Sequence, residues 1–170
     1  MKHQDRHALP PRRRPAPSAT LAPAIDVLPL GDRFLLWAIR QWHQEVVAWE
    51  MGARKAGDAS PLRRGFEQAG LGRALPHFAM LMDAILCGAR RPPEILSAEV
   101  LIVGPDEGVL LALSAMAQDG LDARLAACLA ALLAPDSRPV ATAEVKRLAR
   151  HLVDAGLGSA GAGGASGRIH

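Results

Sequence analysis

From Asp32 to Gly52 the chain reads DRFLLWAIRQWHQEVVAWEMG, about six helical turns with no proline and no internal glycine, and it holds all three tryptophans. At about 100° per residue, Leu35, Ala38, Ile39, Trp42, Val46 and Trp49 fall on one stripe, whereas Trp37 sits about 140° from Trp42. A helix of this length needs other elements to cover its stripe. Its side chains predict a core seam of Trp42 and Trp49, with Asp32 as N-cap and Gly52 as stop, and a second aromatic contact at Trp37.

The remaining punctuation is also helical. Ser60 followed by Pro61 starts a short helix through Phe66, stopped by Gly70. A third helix runs from Ala74 or Pro76 to Cys87, with Phe78, Leu81, Met82, Ile85 and Leu86 inward, and Pro92 and Pro93 forbid its continuation. After Gly104 and Pro105, the carboxylates of Asp106 and Glu107 suit a helix N-terminus, and that helix continues to Gln118. Leu121 to Leu133 is apolar almost all round and is expected at the centre of the fold. Pro135 to Pro139 is a turn, and Val140 to Ala155 is a last amphipathic helix with Val145, Leu148, Ala149, Leu152 and Val153 inward. Only Ile25 to Leu28 and Val100 to Val103 look strand-like. They fit either a minor two-stranded element or extended segments lying over the helices. The fold class is therefore all-α, a compact bundle of five or six helices.

Charge divides the chain. Residues 1 to 20 carry five basic side chains against one acidic, whereas residues 31 to 157 carry 14 against 15, so the basicity belongs to the N-terminal arm. That arm, residues 1 to 24, is rich in proline and arginine and is expected to be disordered. Its prolines also break every candidate signal-peptide core. Residues 25 to 157 form the expected single helical domain, and residues 158 to 170 a flexible Gly/Ala/Ser tail. The tail has no G-x-G-x-x-G match. No apolar run reaches the ~18 residues of a membrane span. Cys87 and Cys128 lie in apolar patterns without metal or redox spacing, which predicts buried reduced thiols in a cytoplasmic protein. Abundant Ala, Arg, Gly and Pro without tyrosine matches a GC-rich bacterial composition.

No catalytic constellation accompanies these helices. His43 has Arg40, not glutamate, three residues earlier, so the Glu-x-x-His pairing of carboxylate-bridged metal bundles is missing. His77 and His151 lack Cys or His at ligand spacing. Ser97, Ser114 and Ser137 have no nucleophile-elbow pattern, and adjacent Asp106 and Glu107 are expected to cap their helix. The reading is non-enzymatic, with no cofactor and no metal.

Three binding classes follow. The leading one is a protein–protein interaction or regulatory module, with Trp37, flanked by Arg33 and Arg40 in cation–π geometry, and neighbours Leu36 and Val47 as the partner site. The alternative cover for Trp37 is the chain's own segment Ile25 to Leu30. Nucleic-acid binding is the rival, through Arg12, Arg13 and Arg14 with Lys146, Arg147 and Arg150. A helical pocket for an apolar small ligand is third. A homo-oligomer is compatible with any of them.

Overall fold

The computed structural model describes residues 22–53 and 60–158, and within them the bundle is built from six helices: α1 Leu30–Glu50, α2 Pro61–Gln68, α3 Leu75–Gly88, α4 Pro105–Gln118, α5 Asp122–Leu132 and α6 Arg138–Asp154. Short 3-10 turns at Ile25–Val27 and Pro135–Ser137 precede α1 and α6. The helices start and stop for local reasons. Ser60 Oγ accepts from Arg63 N at 3.0 Å, and Glu45 of α1 reaches over to accept from Ser60 Oγ and from Leu62 N at 2.9 Å. The first turn of α2 is thus satisfied from its own cap and from α1. Gly52 ends α1 with φ +68°, a left-handed conformation that lets Ala53 N reach back to Ala48 O at 2.9 Å. Asp32 is not the N-cap of α1. Pro29 stands there, the helix begins two residues before Asp32, and burial pushes the Asp32 carboxyl up from its ordinary value.

α6 is the centre of the bundle. It packs most extensively on α3 and α4 and buries Ala141, Val145, Leu148, Ala149 and Leu152. Phe34, Phe66 and Phe78 carry an aromatic chain from α1 through α2 to α3, with successive centroids 5.1 and 5.3 Å apart. The expectation that α5 would be central is overturned: only Leu125 and Leu129 are buried, and Ala123, Ala126, Ala127 and Ala131 face outward. An all-round apolar pattern made mainly of alanine removes little area from water, so it does not compel burial. Leu86 and Val153 also face outward, as does Cys87. Cys128 is half-buried, and that burial raises its thiol pKa.

The strand-like reading of Ile25 to Leu28 is overturned, since Ile25–Val27 is a 3-10 turn; the chain just before it meets the Val100 to Val103 segment at a single antiparallel bridge, Ala24 with Ile102, flanked by Ile25 N to Leu101 O and Val103 N to Pro23 O, both 3.0 Å. The long connection between α3 and α4, residues 89 to 104, is extended over the bundle. It is pinned by one buried ion pair. The Arg40 guanidinium donates from Nε and Nη2 to the two oxygens of Glu107 at 2.8 Å each, and from Nη1 and Nη2 to the carbonyls of Val100 and Ile102 at 2.6 and 2.8 Å. Glu107 accepts further from Leu96 N at 3.1 Å and Gly104 N at 2.8 Å, the latter closing the N-terminus of α4. Both charges are buried, and each is surrounded by partners.

Candidate functional site

The tryptophan cluster read from sequence is taken apart by this geometry. Leu36 is a core residue, and Arg40 is buried with its donors spent on Glu107 and the 100–102 backbone, so neither is available to a partner. Their azimuth borders the apolar stripe, and over Arg40 the cover is the backbone of Val100 and Ile102 together with Glu107. Trp37 keeps 36% of its surface exposed. Its ring lies on Gly65 of α2, where a Cβ would stand 2.0 Å from the indole, and beside Phe34 at 5.7 Å. Gly65 is therefore required for the approach of α1 and α2. The cover over Trp37 is α2, while residues 23 to 25 are engaged with residues 101 to 103. Arg33 is exposed.

Trp42 is buried as expected, but Trp49 is 59% exposed. Beyond Trp42 the helix runs past the core, and in its last two turns Val46 still packs on the core whereas Val47 and Trp49 are exposed. Met51 is 77% exposed. Val47, Ala48 and Met51 form one wall of a groove of about 420 Å³, with Ile95 and Leu96 opposite and His43 at one end. Of the residues proposed from sequence for a partner, Val47 alone lies in it. Met51, Ile95 and Leu96 were missed. Ile95 and Leu96 belong to an aperiodic, proline-flanked stretch, and nothing in their spacing states which helix they face. Acidic residues adjoin the lining in sequence: Glu50 precedes Met51 and Glu99 lies two residues beyond Ser97, both exposed, whereas the charge of Glu94, which precedes Ile95, acts on Arg91. A hydrogen bond from Ser97 holds the Glu99 carboxyl below its ordinary range, so that charge is retained.

The basic face of α6 is partly neutralised. Lys146 Nζ pairs with Asp122 at 2.7 Å, and Arg147 pairs with the buried Glu144. Arg150 is exposed. Arg12, Arg13 and Arg14 lie outside the described residues, as do residues 159 to 170. Glu144 also binds His77 Nδ1 at 2.6 Å, and since a carboxylate only accepts, Nδ1 carries the proton. The His77 ring stacks on His151 at 5.5 Å, so the two histidines join α3 to α6. Among the described residues no group of three or more His, Cys, Asp or Glu is arranged to hold a metal ion, and no helix is long and apolar enough to cross a membrane. Comparison with protein-family models, with curated proteins and with solved structures gave no match.

Proposed function

We propose that the protein is a non-enzymatic helical interaction module, regulatory in character, that docks an apolar peptide segment with basic flanks from a partner protein. The supporting observation is the groove between the last two turns of α1 and residues 95 to 97, where Val47, Met51, Ile95 and Leu96 present apolar surface to solvent. Grooves of this kind take amphipathic helices or extended segments through a few apolar anchors. Glu50 and Glu99, exposed and close in sequence to the lining residues Met51 and Ser97, favour lysine or arginine beside those anchors and disfavour acidic segments. A groove of about 420 Å³ lies at the small end of ligand-binding clefts, enough for a few aliphatic side chains.

Selection from a random-peptide display library tests the reading. The peptides retained by the wild-type protein are expected to carry apolar residues flanked by Lys or Arg, and to lose binding to the double variant Val47→Asp, Met51→Asp. Retention of the same peptides by that variant would remove the groove from the account. Concentration-dependent dimerisation abolished by the same double variant would assign the groove to a second copy of this chain.

A further inference from the structure

A second concavity lies on another side of the bundle, where the C-terminal ends of α3 and α5 meet the start of α4. It is more enclosed than the groove beside α1 and has a volume of about 220 Å³. Its floor is apolar: Ile85, Leu110 and Leu133 are core residues, and Ala131 and Pro93 complete the walls. Three charged residues line it, Arg90, Arg91 and Asp106. Arg91 is committed to Asp106, donating from Nη1 and Nη2 to the two carboxylate oxygens at 2.6 Å each, and Asp106 also accepts from Glu94 N at 2.8 Å. The carboxylate thus has its charge matched within the pair.

Arg90 is different. Its backbone N–H donates to Leu132 O at 3.0 Å, but its guanidinium has no hydrogen-bond or ion-pair partner among the described residues. The carbonyls at the neighbouring helix ends are also occupied. Gly88 O accepts from Ala134 N at 2.8 Å, Leu133 O accepts from Arg138 Nε at 3.0 Å, and Ala130 O accepts from Arg138 Nη2 at 3.3 Å. The negative ends of α3 and α5 are therefore partly quenched where they border the cavity.

The geometry points to a binding site for a small apolar monocarboxylate, with the hydrocarbon part on Ile85, Leu110 and Leu133 and the carboxylate on Arg90. A dry cavity of about 150 Å³ accepts a benzene ring. The 220 Å³ here therefore fits a ring or a branched chain with a short acid arm, roughly eight to eleven heavy atoms in all. A guanidinium matches a carboxylate in planar, bidentate fashion, and the committed Asp106 adds no uncompensated repulsion. The ligand class follows from three features together: an apolar floor, one exposed and uncommitted cation in the lining, and a volume too small for a lipid.

Phenylacetate is a suitable probe, with phenylacetamide as its neutral counterpart and phenethylamine as its cationic one. Titration of the full chain, followed by the methyl resonances of Ile85, Leu110 and Leu133, is expected to show phenylacetate binding at least about tenfold tighter than phenylacetamide, with phenethylamine weaker still. Arg90→Gln should reduce phenylacetate to the level of the amide. Ala131→Phe, which fills the cavity from the outer helix without altering a core residue, should abolish binding of both. Methyl resonances that stay fixed with all three probes would overturn the proposal, and so would equal binding of acid and amide that Arg90→Gln leaves unchanged.

Discussion

The two halves of α1 both carry bulky apolar side chains and have different fates. In the first half, Leu35, Leu36, Ala38, Ile39 and Trp42 are buried, and even Arg40 is closed off from water. In the second half, Val47, Trp49 and Met51 stand in solvent although they are as apolar as the residues before them. The difference comes from what packs against each half. The connection before α4 supplies the carbonyls of Val100 and Ile102, and α4 the carboxylate of Glu107, to the first half through Arg40. Past Trp42, among the described residues, Glu45 caps α2 and Val46 packs on the core, while Val47, Trp49 and Met51 keep their surface exposed. Apolar periodicity sets which face of a helix can be buried, and tertiary neighbours decide how far along the helix burial extends.

Removing what closes the first half should expose it as the second half is exposed. Arg40→Met leaves Glu107 buried and uncompensated, and a loss of about 3–5 kcal/mol is expected in urea unfolding. It should release residues 95 to 103, seen as lost amide protection at Leu96 and Gly104, whose N–H groups donate to Glu107. A loss no larger than that of an exposed ion pair would detach the anchor from the account. Gly65→Ala comes next. A methyl placed 2.0 Å from the Trp37 indole forces α1 and α2 apart or turns the ring outward, at about 1–3 kcal/mol. The Trp37 emission should then move to longer wavelength, and an unchanged spectrum and midpoint would mean the two helices do not meet there.

A smaller effect separates burial from charge. Asp106 is the neighbour of Glu107 and is also paired with an arginine, but Arg91 is exposed. Arg91 and the Glu94 N–H hold the Asp106 carboxyl below its ordinary range. A depressed carboxylate stabilises the fold above its unfolded pKa, about 4, and that contribution disappears as pH falls through the folded value. Asp106→Asn should therefore cost less than Gly65→Ala at neutral pH and should flatten the acid limb of the stability curve. Asp32, whose carboxyl burial pushes up, acts with the opposite sign: its ionisation costs stability at neutral pH, and that cost is relieved as pH falls through the folded value. A steeper acid limb in Asp106→Asn would contradict the pairing.

The helices themselves were legible because proline, glycine and capping residues mark their ends locally: Ser60 with Pro61, Gly104 with Pro105, Gly52 and Gly120 all stand at the observed boundaries. Which side of each helix meets another was less so. Alanine-rich α5 reads as apolar but lies at the edge, and Trp49 reads as seam but lies outside. Arg40 reads as a surface cation because its partners, Val100, Ile102 and Glu107, are 60 to 67 residues away in the chain. For the same reason the groove was visible in the sequence only at Val47. Its second wall comes from an aperiodic connection whose position Arg40 fixes.

Urea unfolding of Trp42→Ala and Trp49→Ala, measured side by side, reads directly whether α1 is core in its first half and exposed apolar surface in its second. Trp42→Ala is expected to lose about 3–5 kcal/mol and Trp49→Ala less than about 1 kcal/mol. Comparable losses would place both halves of the helix in the core and leave no open apolar face for a partner.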